Sequence, residues 1–250
     1  MTATVSLNPV AGTTRPSAPS LGTLTGIEMR KSLSTRSGKA VGIIAVLIGP
    51  IGVFIGSLGG EGEAPGAAIL GITGMLTALV LLALGVLSTA GEWTHKSVQT
   101  TYLLVPQRGR VMASKVLALV VLGAGLAAVG AALTTGMLWV IPDPIGWTGI
   151  GRAFIVAVGA GAAIAVTGAG IGAALANTPA ALTGTYLTVL GVMPVLAAFK
   201  PEIAEKIDPA SSIVNLAQGY STTTPILVIA GWVVVSTVAG TVISRRRAVS

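Results

Sequence analysis

No Asp, Glu, Lys or Arg interrupts residues 153–199. A membrane-crossing helix uses about 20 mostly apolar residues, so this run is too long for one span and fits two. Asn177, Thr178 and Pro179 sit near its middle, and Asn and Pro favour a break there. The run therefore predicts helices over 153–176 and 180–199, joined by a tight turn. Only 9% of the chain is charged and 52% is hydrophobic. A soluble domain carries roughly 25% charged residues, so a mainly water-facing surface is excluded.

The same criterion finds four more spans, at about 40–58, 67–90, 116–141 and 225–243. The expected fold is all-α, with six transmembrane helices making up a domain over 40–243. Residues 1–20 are rich in Thr, Pro, Ser and Ala and read as a disordered tail. The first long apolar run starts too far in for a signal peptide. In residues 21–39, Leu21, Leu24 and Ile27 recur every three positions and Glu28, Arg30, Lys31, Arg36 and Lys39 follow. This predicts an interfacial helix, or else a solvated basic segment ahead of the first span. Residues 200–224 are polar with apolar positions at Ile203, Ile207, Ile213 and Leu216, which predicts a short helix on the membrane surface. Residues 244–250 form a basic tail.

Charge sorting orients the spans. With the N-terminus inside, Arg15, Arg30, Lys31, Arg36, Lys39, Lys96, Arg108, Arg110, Lys115 and Arg245, Arg246 and Arg247 all lie on the cytoplasmic side. Only Arg152, Lys200 and Lys206 lie outside, completing the 15 Lys and Arg. Six of the eight acids (Glu61, Glu63, Asp143, Glu202, Glu205, Asp208) fall outside. A bias this strong predicts a multi-pass protein of the cell membrane with both termini cytoplasmic. It also accounts for the formal charge of +7 without any nucleic-acid partner.

Enzyme signatures are absent from the sequence. Gly38-Lys39 matches the Gly-Lys pair of a phosphate loop, but that motif also needs Gly five positions before its second Gly and Ser or Thr after Lys, and Leu33 and Ala40 occupy those places. With no Cys and one His, a thiolate or multi-histidine metal site is excluded. His95 has only Glu92 as a nearby acid, which makes a catalytic role unfavourable. No charge falls near the middle of a span, which lowers the case for a proton- or ion-coupled carrier. The spacings Gly52-x3-Gly56-x3-Gly60 and Gly168-x3-Gly172 place small residues on one helix face, for packing within the chain or between protomers. Pro50 and Pro194 fall within spans and are expected to bend them.

Residues 92–115 carry a resemblance. An acid, Glu92, closes the second span. Ser97-Val98, the leucine pair Leu103-Leu104, Pro106 and Arg108 follow, and Lys115 opens the third span. This resembles the first cytoplasmic loop of the permease subunits of type-2 ABC (ATP-binding cassette) exporters. The segment around Glu28, Met29, Arg30 and Lys31 looks like the interfacial helix of that family, and the six-span plan agrees. The Gly that the family often has near Ser97 is missing.

The resemblance implies half of a translocation pore, completed by a second permease copy or a related permease in the lipid bilayer. A separate ABC ATPase subunit would bind ATP and Mg, and this chain would carry no cofactor, no metal and no catalytic residue. Docking falls to a coupling segment, 92–110, with Glu92, Trp93, His95, Lys96, Gln99, Pro106, Arg108 and Arg110. Glu28, Arg30, Lys31 and Arg36 of the interfacial helix lie beside it, and Asn177, Thr178 and Pro179 form a second, smaller contact. The alternatives from the sequence are a non-transporting membrane assembly or regulatory subunit, and a secondary carrier.

Overall fold

The charge-free stretch forms two helices, as its length requires. A computed structural model of the chain describes residues 19–59, 64–94, 107–141 and 145–247, with the side chains of Ala64 and Arg108 excepted. Helix α1 is Leu21–Ser34 and α2 is Arg36–Ser57. Then follow α3 (Gly66–Thr94), α4 (Arg108–Val140), α5 (Ile150–Leu175) and α6 (Thr178–Phe199). Two short helices, α7 (Pro201–Ala204) and α8 (Pro209–Gln218), precede α9 (Thr223–Arg246). Six of these, α2 to α6 and α9, are long and apolar enough to cross a membrane. The chain is a multi-pass, all-α membrane protein. The one departure from all-α among the described residues is a two-residue parallel ladder, with Ala64 opposite Ile145 and Pro65 opposite Gly146.

α3 and α5 are the most buried spans, while α6 and α9 are the most exposed. α5 lies at the centre because its side chains are small. Gly85 of α3 meets the Ala165 backbone, and Gly168 and Gly172 of α5 meet the backbones of Leu82 and Val86. Gly123 of α4 faces Gly161, and Gly240 of α9 faces Gly170. In lipid, where no hydrophobic force draws helices together, such close approach supplies the packing. Hydroxyls add bonds between helices: Thr89 Oγ1 donates to the Ala169 carbonyl at 2.9 Å and Tyr186 Oη to the Leu79 carbonyl at 2.8 Å. The sequence left open whether the Gly168–Gly172 face packs within the chain, and it does. Gly52 and Gly56 face outward with open space before them; Gly60 lies outside the described residues.

The chain crosses between two ends. One end gathers the start of α2 and α4, the end of α3, α5 and α9, and the start of α6; it carries most of the Lys and Arg and is called the basic end here. The other holds the ladder, Arg152 and Gly219. Gly219, at φ 80°, closes α8 in the left-handed region that favours glycine, beside the Arg152 guanidinium. Six crossings return the chain to the end where it began.

Several boundaries differ from the sequence reading. The second and third spans, expected at 67–90 and 116–141, extend towards the basic end as Gly66–Thr94 and Arg108–Val140. The interfacial segment is not one helix: Thr35 breaks it, and its hydroxyl caps α2 by accepting from Gly38 N at 3.0 Å. Arg36 and Lys39 thus belong to the first span. Only Leu24 of the Leu21, Leu24, Ile27 series faces the bundle, alongside Glu28, while Ile27 points outward. Of the 200–224 segment, residues 200–203 and 205–207 are exposed, but helix α8 within it does not lie on the surface. α8 packs against α3, α5 and α9, with Ser212, Ile213 and Ala217 fully buried. α2 runs through Pro50 without interruption. Ahead of Pro194, α6 passes through a π-helical segment, Leu187–Val192. Proline lacks the amide hydrogen and crowds the carbonyl four residues back, and a wider turn accommodates both.

Candidate functional site: a charged ring at the basic end

Among the described residues, three helices meet in a ring of four charges. Lys115 of α4 donates to Glu28 Oε2 of α1 at 2.5 Å and to Glu92 Oε1 of α3 at 2.9 Å. Lys31 of α1 pairs with the same Glu92 oxygen and lies 4.0 Å from Glu28 Oε1. Lys115 Nζ also reaches the Ser88 carbonyl at 3.3 Å. The side chains of Lys115, Glu92 and Glu28 are only 6%, 7% and 10% exposed, whereas Lys31 is 41% exposed. Two carboxylates and two ammoniums cancel in charge. Burial of ions is costly unless each finds opposite charge and hydrogen bonds, and the ring meets that condition.

The local sequence explains the arrangement. α3 continues past the apolar part of its span to Thr94, which places Glu92 inside the last turn. α4 begins at Arg108, so Lys115 lies two turns into a helix. Glu28 and Lys31 are three residues apart on α1 and so share a face. A cleft of about 360 Å³ opens beside the ring, lined by Glu28, Lys31, Thr35, Ser88, Glu92 and Thr178 among others.

Both segments expected to dock an ATPase converge here. Thr178 Oγ1 lies 3.1 Å from Thr94 Oγ1, and Thr178 N donates to Thr94 Oγ1 at 3.4 Å. Asn177 caps α6, its Oδ1 accepting from Ala180 N at 2.9 Å, with Pro179 in the first turn. The start of α6 therefore abuts the end of α3, where the coupling segment departs. Trp93 lies under the Arg247 guanidinium, 5.7 Å from its ring centroid. Arg247 Nη2 in turn donates to the Ala174 carbonyl at 2.8 Å, satisfying a carbonyl at the C-terminal end of α5. Arg110 Nη2 donates to the Pro19 carbonyl at 2.7 Å, holding the start of α1 against α4. Arg30 and Arg36 are exposed at the same end. His95, Lys96, Gln99 and Pro106 lie outside the described residues, as do the tail before Pro19 and the acidic loop of Glu61 and Glu63.

Two sequence expectations take a different form. Glu92 was expected at a docking surface; its carboxylate is turned into the bundle and binds Lys115 and Lys31. Lys115 was read as an orientation charge and a motif position only, yet it is the centre of the ring. Its pairing with Glu28 spans 87 residues, a separation over which local periodicity is silent. The usable signal was the charge itself, since a lysine two turns inside a span needs a partner. Among the described residues no group of three or more His, Cys, Asp or Glu is placed to hold a metal ion.

The chain matches no known protein-family model, and no curated protein matches it.

Proposed function

We propose that the chain is the membrane-spanning permease subunit of an ATP-driven exporter of the ABC type. It forms half of a pore with a second copy or a related permease, in the cell membrane with both termini cytoplasmic, and docks a separate ATPase at its basic end. One observation carries this reading: the end of α3, the start of α6 and helix α1 form one patch around the charged ring. The first two belong to the segments that the resemblance assigns to ATPase contact, and α1 is the helix that it places beside them. A push on residues 95–106, which follow Thr94, acts through Glu92 on α1 and α4 together, since Lys31 and Lys115 hold the same carboxylate oxygen. Such a linkage moves three helices as a unit, which an ATP-driven change between two conformations requires.

The test is purification of the chain from its native membrane in mild detergent, with identification of what accompanies it. A stoichiometric subunit containing G-x-x-x-x-G-K-[ST] is expected. Recovery of the chain without an ATPase after gentle crosslinking contradicts the proposal and returns the assembly-subunit and carrier readings.

A further inference from the structure

α5, α6 and α9 do not close against one another along their outer sides. They leave a crevice of about 640 Å³, within the range of ligand sites of about 300–1,000 Å³. Its walls are apolar, from Ile171 and Leu175 on α5, Met193 on α6, and Leu227, Val235 and Ala239 on α9. Its one charged lining residue is Lys206. No carboxylate among the described residues lies within 4.0 Å of that ammonium. The nearby Asp208 is engaged elsewhere, its oxygens accepting from Ala210 N and Ser211 N at the start of α8.

Depth can be read along α9. The helix needs about 20 residues to cross the hydrocarbon. Arg245 marks the basic edge, so the opposite edge falls near Pro225. Trp232 sits about seven residues inside that edge, roughly 10 Å at 1.5 Å per residue. Helical side chains lean towards the N-terminus, and the indole Nε1 donates to the Ile207 carbonyl at 2.8 Å. Lys206, the preceding residue, is thus held just beneath the headgroup layer, where a lysine extends along its apolar stem to reach charge. From Leu227 to Ala239 the crevice follows twelve residues of α9, about 18 Å. One leaflet of hydrocarbon is about 15 Å deep, half of the ~30 Å core. The crevice also takes in Ala174 and Leu175 at the basic end of α5, so it is at least one leaflet long. A cation with no carboxylate partner among the described residues, near one end of such an apolar slot, matches a single amphiphile with an anionic head.

We infer that the crevice between α5, α6 and α9 binds one anionic phospholipid of the leaflet opposite the basic end. Its phosphate rests on Lys206 and an acyl chain runs along Gly231, Val235 and Ala239. This site lies away from the charged ring and does not depend on ATPase docking.

The test uses the full chain in mild detergent, with phosphatidylglycerol and phosphatidylcholine of identical chains in competition, read by native mass spectrometry. One retained phosphatidylglycerol per chain is expected, preferred about fivefold, the ratio for one lysine near an anionic surface. Lys206→Gln is expected to abolish the preference while a lipid is still retained. Gly231 faces open space, so Gly231→Leu fills the slot without disturbing the chain and is expected to remove the retained lipid. Equal retention of the two lipids by the unaltered chain overturns the inference. So does unchanged retention in Gly231→Leu. If Gly231→Leu instead splits an oligomer and leaves the lipid count as it was, a second copy of this chain fills the crevice and the inference is equally overturned.

Discussion

Replacing Lys115 with Met tests the charged ring most sharply. Met keeps much of the side chain's length and apolar stem but removes the ammonium. Glu28 and Glu92, both nearly buried, then lose the ammonium they share, while Lys31 still holds Glu92 and stands 4.0 Å from Glu28. Breaking a buried ion pair by deleting one partner costs about 3–5 kcal/mol, because an uncompensated charge remains. Partial sharing of Lys31 places the expectation towards the lower end. For a chain of this size 1 kcal/mol shifts the melting midpoint by about 2–4 °C, so a drop of about 6–20 °C is expected. The assay is thermal unfolding of the purified chain in detergent, with insertion checked by membrane fractionation. The double variant Lys115→Met with Glu28→Gln removes one charge of each sign and leaves the Lys31–Glu92 pair. It is expected to recover more than half of the loss. Lys31→Ala, at the exposed member, is expected to cost less than about 1 kcal/mol, as exposed pairs do. The reasoning is refuted by a drop under about 2 °C for Lys115→Met, or by a double variant whose loss equals the sum of the two single losses.

Two further predictions concern packing and capping. Gly168→Ala drives a Cβ into the Leu82 backbone and is expected to cost roughly 1–3 kcal/mol in the same melting assay, whereas Gly52→Ala meets open space and is expected to be neutral or to stabilise by up to about 1 kcal/mol. Equal losses at the two sites would mean that α5 does not pack where the structure places it. Asn177→Ala removes the α6 cap and is expected to cost about 0.5–2 kcal/mol, measured as faster amide hydrogen exchange over the first turn of α6. Unchanged exchange there contradicts the capping role.

The spans were legible because the bilayer leaves little choice. An uncharged run of 47 residues must fold into two crossings, and Asn177 and Pro179 mark where it turns. Helix ends were less legible. The hydrophobic run shows where lipid ends, but a helix continues into the interface as long as its backbone bonds and side chains find partners. α3 therefore reaches Thr94 and α4 starts at Arg108, which carries Glu92 and Lys115 into helices and turns them towards each other. The partner on α1 was hidden for a different reason. Glu28 reads locally as one charge among basic residues, and only tertiary packing brings it to Lys115. The apolar positions Ile213 and Leu216 signalled a helix with a sheltered face, but not that the shelter is α3, α5 and α9 rather than lipid. Glycine spacing was ambiguous in the same way: Gly52-x3-Gly56 and Gly168-x3-Gly172 follow one pattern, and neighbours alone decide that the second is an interior contact.

The native chain has no cysteine, so single cysteines can be placed without further changes. The most direct test of the account puts one at Ser97, one at Thr178 and one at Leu58, which is exposed at the opposite end. Each carries a photoactivatable crosslinker in native membranes, and the adducts are identified by mass spectrometry. The account predicts adducts to a nucleotide-binding ATPase from Ser97 and Thr178 and none from Leu58. Absence of an ATPase adduct from both basic-end positions, or an equal yield from all three, contradicts docking at this end of the bundle.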